Sequence, residues 1–403
     1  MLLLDEAAPW HADGHWQRMD AATAAIDGPF AALSLESLAH NARSMVARSA
    51  GTTLRVATKS VRSRAVLDAV LRLPGFAGVL AATLPEGLWL SETVDDVLVG
   101  YPTVDRAALR ALAGDERALS RVTLMVDSLE HLDVVDDAAP GHPPIRVALE
   151  LDASFRLWPV RAGVRRSPLR EPERLRALAE AVVARPGFTL VGLMAYEAQV
   201  AGVQDARRRG LAPPAVLRAM QRLSVAELRE RRGAAVAAVR EVAALEFVNG
   251  GGTGSIELTA ADPSVTEIGA GSGLFGPHLF DGYRRFSPAP ALAFALPVVR
   301  RPGRGCVTLL GGGWIASGPP GPDREPIVAW PEGLRIDPQE GAGEVQTPVL
   351  GAAADRLALG DRVWMRHAKS GELCERTDVL HVVAGDQVVE SVPTYRGEGR
   401  KLL

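Results

Sequence analysis

The chain reads as an α/β protein, a (β/α)8 barrel of the TIM type followed by a smaller β domain. Three observations predict this. Eight short apolar runs of strand character occur before residue 271, mostly separated by segments of helical spacing. That alternation over about 250 residues is the pattern of an eight-stranded parallel barrel. After Gly271 glycine and proline become frequent and helical periodicity scarce, which is the texture of short strands joined by turns. The 403 residues also exceed what one hydrophobic core usually fills, so two domains are expected. The expected divisions are an N-terminal extension over 1–28, the barrel over 29–270 and the β domain over 271–403.

Taken in order, residues before Pro29 show no clear period, and Trp10, His11, His15 and Trp16 are assigned no chemistry. Residues 30–35 (FAALSL) are expected to form the first barrel strand, and the helical spacing from Leu38 ends at Gly51. The runs 53–58, 78–82, 96–101, 121–126, 145–151, 189–195 and 246–249 supply seven more strands. The arginine-rich stretch 205–244 has helical spacing and reads as a solvated outer face. In the β domain, strands are expected at 291–299, 306–310, 361–365 and 380–383, with a hairpin over 382–389 turning at Gly385-Asp386. The region 318–348 reads as a long ordered loop.

Composition excludes several classes of function. The net charge of −3, with arginines spread through the helical segments, gives no concentrated basic field for nucleic acid or an anionic membrane. No apolar run reaches the roughly 20 residues that a spanning helix needs. Two cysteines, Cys306 and Cys374, are too few for a disulfide framework, and the residues after Met1 lack a signal-peptide layout, so a cytoplasmic location is expected.

The candidate chemical residues fall at the carboxyl ends of the apolar runs: Lys59, Tyr101, Asp127, Asp152, Tyr196 and Asn249. In a barrel these ends converge on one rim, where active sites form. Lys59 closes the run 53–58, and a helical segment begins at Ser63. Partly desolvated and close to Arg55 or Arg62, its amine could lose its proton readily and attack an aldehyde. Asn249-Gly250-Gly251-Gly252-Thr253-Gly254-Ser255 follows the last run. Its glycines allow close approach of backbone N–H groups to an anion, and Thr253 and Ser255 add hydroxyls. A dinucleotide turn is the competing reading, but that fingerprint belongs after a first strand and has a different glycine spacing, so one phosphate is favoured. A lysine and a single-phosphate loop together point to pyridoxal phosphate. Arg161, after the acidic end at Asp152, could bond the ring's phenolate oxygen.

Ala57-Thr58-Lys59, Asp152 with Arg161-Ala162-Gly163-Val164, the run 192–197 (GLMAYE) and the loop 250–254 (GGGTG) resemble, in that order, the fold type III pyridoxal phosphate enzymes. Within them the chain is similar to the D-threonine aldolase and D-serine dehydratase group, which carries an alanine racemase-like N-terminal domain. The similarity runs on through His367 to the segment 392–399 (VPTYRGEG). The resemblance implies a PLP-dependent lyase for β-hydroxy-D-amino acids, usually a homodimer with the cofactor between domains. It implies that Lys59 carries the cofactor, that Gly252, Thr253, Gly254 and Ser255 hold its phosphate, and that Arg161 and Tyr196 lie beside its ring.

One departure concerns a divalent metal. The family often binds one through a β-domain histidine followed two residues later by aspartate or cysteine, but here His367-Ala368-Lys369 places a lysine there. A protonated lysine cannot ligate a cation. Cys374 or Glu372 could complete a site with His367, or the Lys369 ammonium could stand in the metal's place and polarise the substrate hydroxyl. His367 is the candidate base for Cα–Cβ cleavage, and Lys59 that for the α-proton in elimination. The alternatives are an amino-acid racemase, with Tyr395 or another β-domain tyrosine as a second base on the opposite face, and a noncatalytic pyridoxal phosphate carrier.

Overall fold

In the computed structural model, which describes residues 2–157, 159–206, 213–319 and 321–403, the first apolar run does not enter the barrel. Strand β1 (Phe30–Ser34) pairs antiparallel with a later strand, Phe30 opposite Ala295, and parallel with another, Ala31 opposite Leu380. All five of its residues are buried, as a central strand of either sheet would require. Apolar content could not choose between the two partners, because strand pairing is decided by residues far away in the chain.

The closed barrel is built from β2 (Thr53–Ala57), β3 (Phe76–Ala81), β4 (Val97–Val99), β5 (Val122–Val126) and β6 (Ile145–Glu150). A two-stranded ribbon, β7 (Phe155–Leu157) and β8 (Val160–Ala162), follows β6. Then β9 (Phe188–Ala195), β10 (Phe247–Gly250) and β11 (Glu267–Ala270) complete the ring. Adjacent barrel strands are parallel, and β11 closes the circle against β2, Glu267 opposite Thr53. Seven expected runs are therefore barrel strands, and the eighth strand is the short Glu267–Ala270 in place of residues 30–35. It is hard to read because it has only four residues, opens on a carboxylate and contains a glycine. Its opening Glu267 binds the buried guanidinium of Arg55 at 2.7 Å, which also holds the exposed Asp96. Phe247 packs with Leu98, Met125, Ala148, Val191 and Met194, and Arg55 lies 5.3 Å from its ring centre.

The remaining strands are β12 (Leu292–Gly303), β13 (Cys306–Leu310), β14 (Ile327–Trp330), β15 (Arg335–Ile336), β16 (Gln346–Leu350), β17 (Arg362–Arg366), β18 (Val379–Ala384) and β19 (Gln387–Pro393). With β1 they form one sheet of order β15-β16-β13-β12-β1-β18-β19, with β17 joining β12 to β14. The hairpin at Gly385-Asp386 is present, Ala384 opposite Gln387. The expected loop 318–348 instead contains β14, β15 and the start of β16, whose short length and nearby prolines hid them.

By internal contacts the chain forms two compact units. One comprises Met1–Ser44, Lys59–Leu73 and Ser272–Lys401; the other comprises Met45–Thr58, Pro74–Gly271 and Leu402–Leu403, and holds the barrel. In the first, Met19 of helix His15–Ala22 packs with Phe30, Ala293 and Trp364. Within the arginine-rich stretch 205–244, of which 207–212 lie outside the described residues, helix Pro214–Arg240 forms, but not all of it is solvated: Arg232 is buried and bound to Asp262 at 2.8 Å. Among the described residues no helix is long and apolar enough to cross a membrane.

Candidate active site

The barrel strands run parallel, so their carboxyl ends share one rim, and six chain segments leave it carrying polar side chains. Lys59 lies in the short helical turn Thr58–Ser60 directly after β2. The Thr58 hydroxyl anchors the start of that turn by donating to the Leu80 carbonyl of β3 at 3.1 Å.

Within the barrel unit, Tyr101 follows β4, Asp127 follows β5, Glu150 ends β6, and Tyr196 and Glu197 follow β9. The Arg166 guanidinium lies 5.1 Å from the Tyr101 ring centre and 5.0 Å from that of Tyr196, and 3.7 Å from the Glu150 carboxylate. Burial pushes the Tyr196 phenol up to about 12, against the pull of Arg166. Burial also raises Glu150 to about 7; Arg166 opposes this, while the charges of Asp127 and Asp152 add to it. Arg161, the arginine expected beside the ring, is 3.7 Å from Asp152, which Arg156 holds more closely at 2.6 Å. Burial resists ionisation of Asp152, but the Ser154 N–H and hydroxyl and Arg156 outweigh it and hold the carboxyl below its ordinary range. Arg166 and Glu150 were missed in the sequence. From β8 to helix Pro172–Ala184 there is no period from which to choose among Arg161, Arg165 and Arg166.

The glycine loop follows β10. A side chain at Gly252 would put its Cβ 2.9 Å from the Ala201 Cβ and 3.2 Å from the Tyr196 ring, so only glycine fits this approach. Gly251 has φ +77°, a conformation that favours glycine. Thr253, Gly254 and Ser255 form one helical turn that runs into helix Ile256–Ala260. The Ser255 hydroxyl is fully buried and donates to Glu197, and Asn249 donates inward to Glu267 at 2.9 Å. The loop and Tyr196 thus meet as the sequence suggested, and a close-packed glycine backbone beside a tyrosine ring fits a phosphorylated aromatic cofactor.

Within the other unit, Lys59 is held through its backbone. Arg62 donates to the Lys59 carbonyl at 2.9 Å and pairs with Glu375 at 2.7 Å, and the Arg62 carbonyl accepts from Tyr395 N. Both arginines expected to act on Lys59 are thus paired with carboxylates, Arg55 with Glu267 and Asp96. Gly371, at φ +87°, approaches so closely that a Cβ would lie 1.9 Å from the Lys59 carbonyl oxygen. Lys369 donates to the carbonyl and hydroxyl of Ser317, whose N–H and hydroxyl bind Glu372. Burial lowers the Lys369 amine from its ordinary range; Glu372 opposes this, and the cations Arg324 and Lys59 add to it. Lys59 and Lys369 are therefore electrostatic neighbours.

His367 is buried, and burial drives its imidazole down to about 3, with Arg366 and His278 pushing the same way. The Cys374 thiol, raised to about 12 by burial, donates to the Val61 carbonyl at 3.3 Å. Among the described residues no three His, Cys, Asp or Glu side chains gather into a set that could hold a metal ion. Of the donors suggested for a divalent cation, Cys374 is engaged by the Val61 carbonyl and Glu372 by Ser317.

The alanine racemase N-terminal domain family model matches residues 33–278. The chain belongs to that family. It is 26% identical over 267 residues to a D-threonine aldolase of Arthrobacter sp., covering 64% of this chain and 65% of that protein. It is 26% identical over 254 residues to a 3-hydroxy-D-aspartate aldolase of Paracoccus denitrificans, covering 62% and 60%. The match thus spans less than two thirds of the length of either relative. A D-threonine aldolase structure from Filomicrobium marinum superposes with a TM-score of 0.77 at 20% identity, covering 92% of this chain and 96% of that one. This alanine racemase-family protein shares that fold.

Proposed function

We propose that this alanine racemase-family protein is a pyridoxal phosphate-dependent lyase acting on small β-hydroxy-D-amino acids, by Cα–Cβ cleavage or by elimination of water. The observation that carries the reading is Lys59 directly after β2, on a barrel whose rim also bears the glycine loop against Tyr196. The aldolase names of the relatives support it. Bound there, pyridoxal phosphate would supply an electron sink that weakens bonds at the substrate α-carbon.

Lys59 would hold the cofactor and move the α-proton, while the glycine loop from Thr253 onward meets the phosphate. Tyr196 and Arg166 flank the ring; Arg166, stacked on Tyr196, is better placed for this than Arg161. Lys369, a cation beside Lys59, would bind the substrate's β-oxygen and stabilise charge there. His367, its imidazole held down to about 3 by burial, would stay uncharged. We further propose a cytoplasmic homodimer: both cysteines are free, which suits a reducing compartment, and the family resemblance implies the dimer.

Incubation with D- and L-threonine and D- and L-serine tests the activity. Glycine with aldehyde, or keto acid with ammonia, is expected from the D isomers alone. Interconversion of enantiomers without cleavage would make the protein a racemase, and no turnover by cofactor-loaded protein would make it a carrier.

A further inference from the structure

Glu197 does not face solvent: it is 3% exposed, and among the described residues its carboxylate bonds to the glycine loop, Thr259 and Arg232. One carboxylate oxygen accepts the Gly251 N–H at 3.0 Å and lies 3.5 Å from Arg232. The other accepts the hydroxyls of Ser255, at 3.2 Å, and of Thr259. The Ser255 oxygen in turn accepts the Gly252 N–H at 3.2 Å. Arg232, also buried, is fixed by Asp262 at 2.8 Å and 3.0 Å, so the carboxylate is charge-paired as well as hydrogen-bonded. From the other side, Arg48 donates to the Thr253 carbonyl at 2.7 Å and binds Glu257 at 2.6 Å. Two successive loop N–H groups and the Ser255 hydroxyl are therefore turned inward, one group directly and one through Ser255.

We propose that Glu197 is the positioning residue of the phosphate loop. It touches no ligand, and it sets the loop backbone so that an anion is met from Thr253 onward, while Ser255 serves as a link to Glu197 and not as a phosphate ligand. The inference rests on the reading that this loop holds the phosphate of pyridoxal phosphate. A charged acceptor makes stronger bonds than a neutral one, so Glu197→Gln, whose amide has a single neutral acceptor oxygen and an NH2 donor in place of the other, frees the loop. Thr259→Val removes one hydroxyl and leaves the Glu197–Arg232 pair in place. Ser255→Ala cuts the link to Gly252 N–H.

The test compares the affinities of cofactor-free protein for pyridoxal phosphate and for pyridoxal, which lacks only the phosphate. Wild-type protein is expected to prefer pyridoxal phosphate. Each variant should lose about tenfold or more of its affinity for pyridoxal phosphate, the scale of one or two charged hydrogen bonds, while its affinity for pyridoxal stays within about twofold. A residue that merely supports the fold would weaken both ligands by one factor. Equal weakening of both in Thr259→Val and Ser255→Ala, or unchanged pyridoxal phosphate affinity, overturns the proposal. A wild-type protein without preference for the phosphorylated form overturns the functional reading beneath it as well.

Discussion

A carboxyl group that keeps its proton to about pH 7 leaves a mark on stability. Glu150 rises from 4.5 to about 7 because burial disfavours its charge. The unfolded chain releases this proton near pH 4.5 and the folded chain near 7, so stability falls as pH rises through that window and stays lower above it. Glu150→Gln carries no such proton. Denaturant titrations of cofactor-free protein should show the variant gaining about 2 kcal/mol on wild type between pH 5 and pH 8; a constant difference would place the ionised carboxylate comfortably in the fold. Lys369 gives a prediction about the reaction. Lys369→Ala should slow turnover on the order of 100-fold, the cost of removing one preorganised charge from a developing oxyanion, and chelator should leave wild-type activity intact. Activity abolished by chelator and restored by a divalent ion would refute that role. At this scale the sequence was partly legible. Strand-end position singled out Lys59 and Tyr196, but nothing periodic marked Arg166, and nothing local showed that Arg232 of a charged helix is buried against Asp262.

Two glycines govern how elements meet. In β9, a Cβ on Gly192 would lie 2.2 Å from the Phe247 ring, inside the packed barrel cluster. Gly192→Ala should cost about 1–3 kcal/mol as overpacking, read as a lowered denaturation midpoint, and Phe247→Leu in the same chain should recover part of it. No loss in the single variant would mean that the ring has room to move. Gly371 brings its loop against the turn that bears Lys59, and both its φ of +87° and the 1.9 Å approach forbid a side chain. Gly371→Ala should therefore reduce covalent capture of the cofactor at Lys59 more than it lowers the melting temperature. The elements themselves were readable wherever apolar runs were long. β11 was lost because four residues carry too little pattern, and β1 was misplaced because its burial on both faces is common to a barrel strand and a central sheet strand.

For the molecule as a whole, the order of the motifs carried the reading more than any one of them. A strand-end lysine, a glycine loop or a buried tyrosine alone is commonplace, while their sequence along alternating strands and helices is that of the alanine racemase family. What the sequence could not supply was partnership between distant residues, such as Arg55 with Glu267 or Glu197 with Thr259, because such pairs exist only after the barrel has closed. The central claim is the attachment of pyridoxal phosphate at Lys59. The chain contains only three lysines, Lys59, Lys369 and Lys401, so the claim has few rivals. Borohydride reduction of cofactor-saturated protein, followed by peptide mass analysis, tests it most directly. The expected result is one reduced pyridoxyl group on the peptide bearing Lys59; an adduct on Lys369 or Lys401, or none at all, would contradict the account.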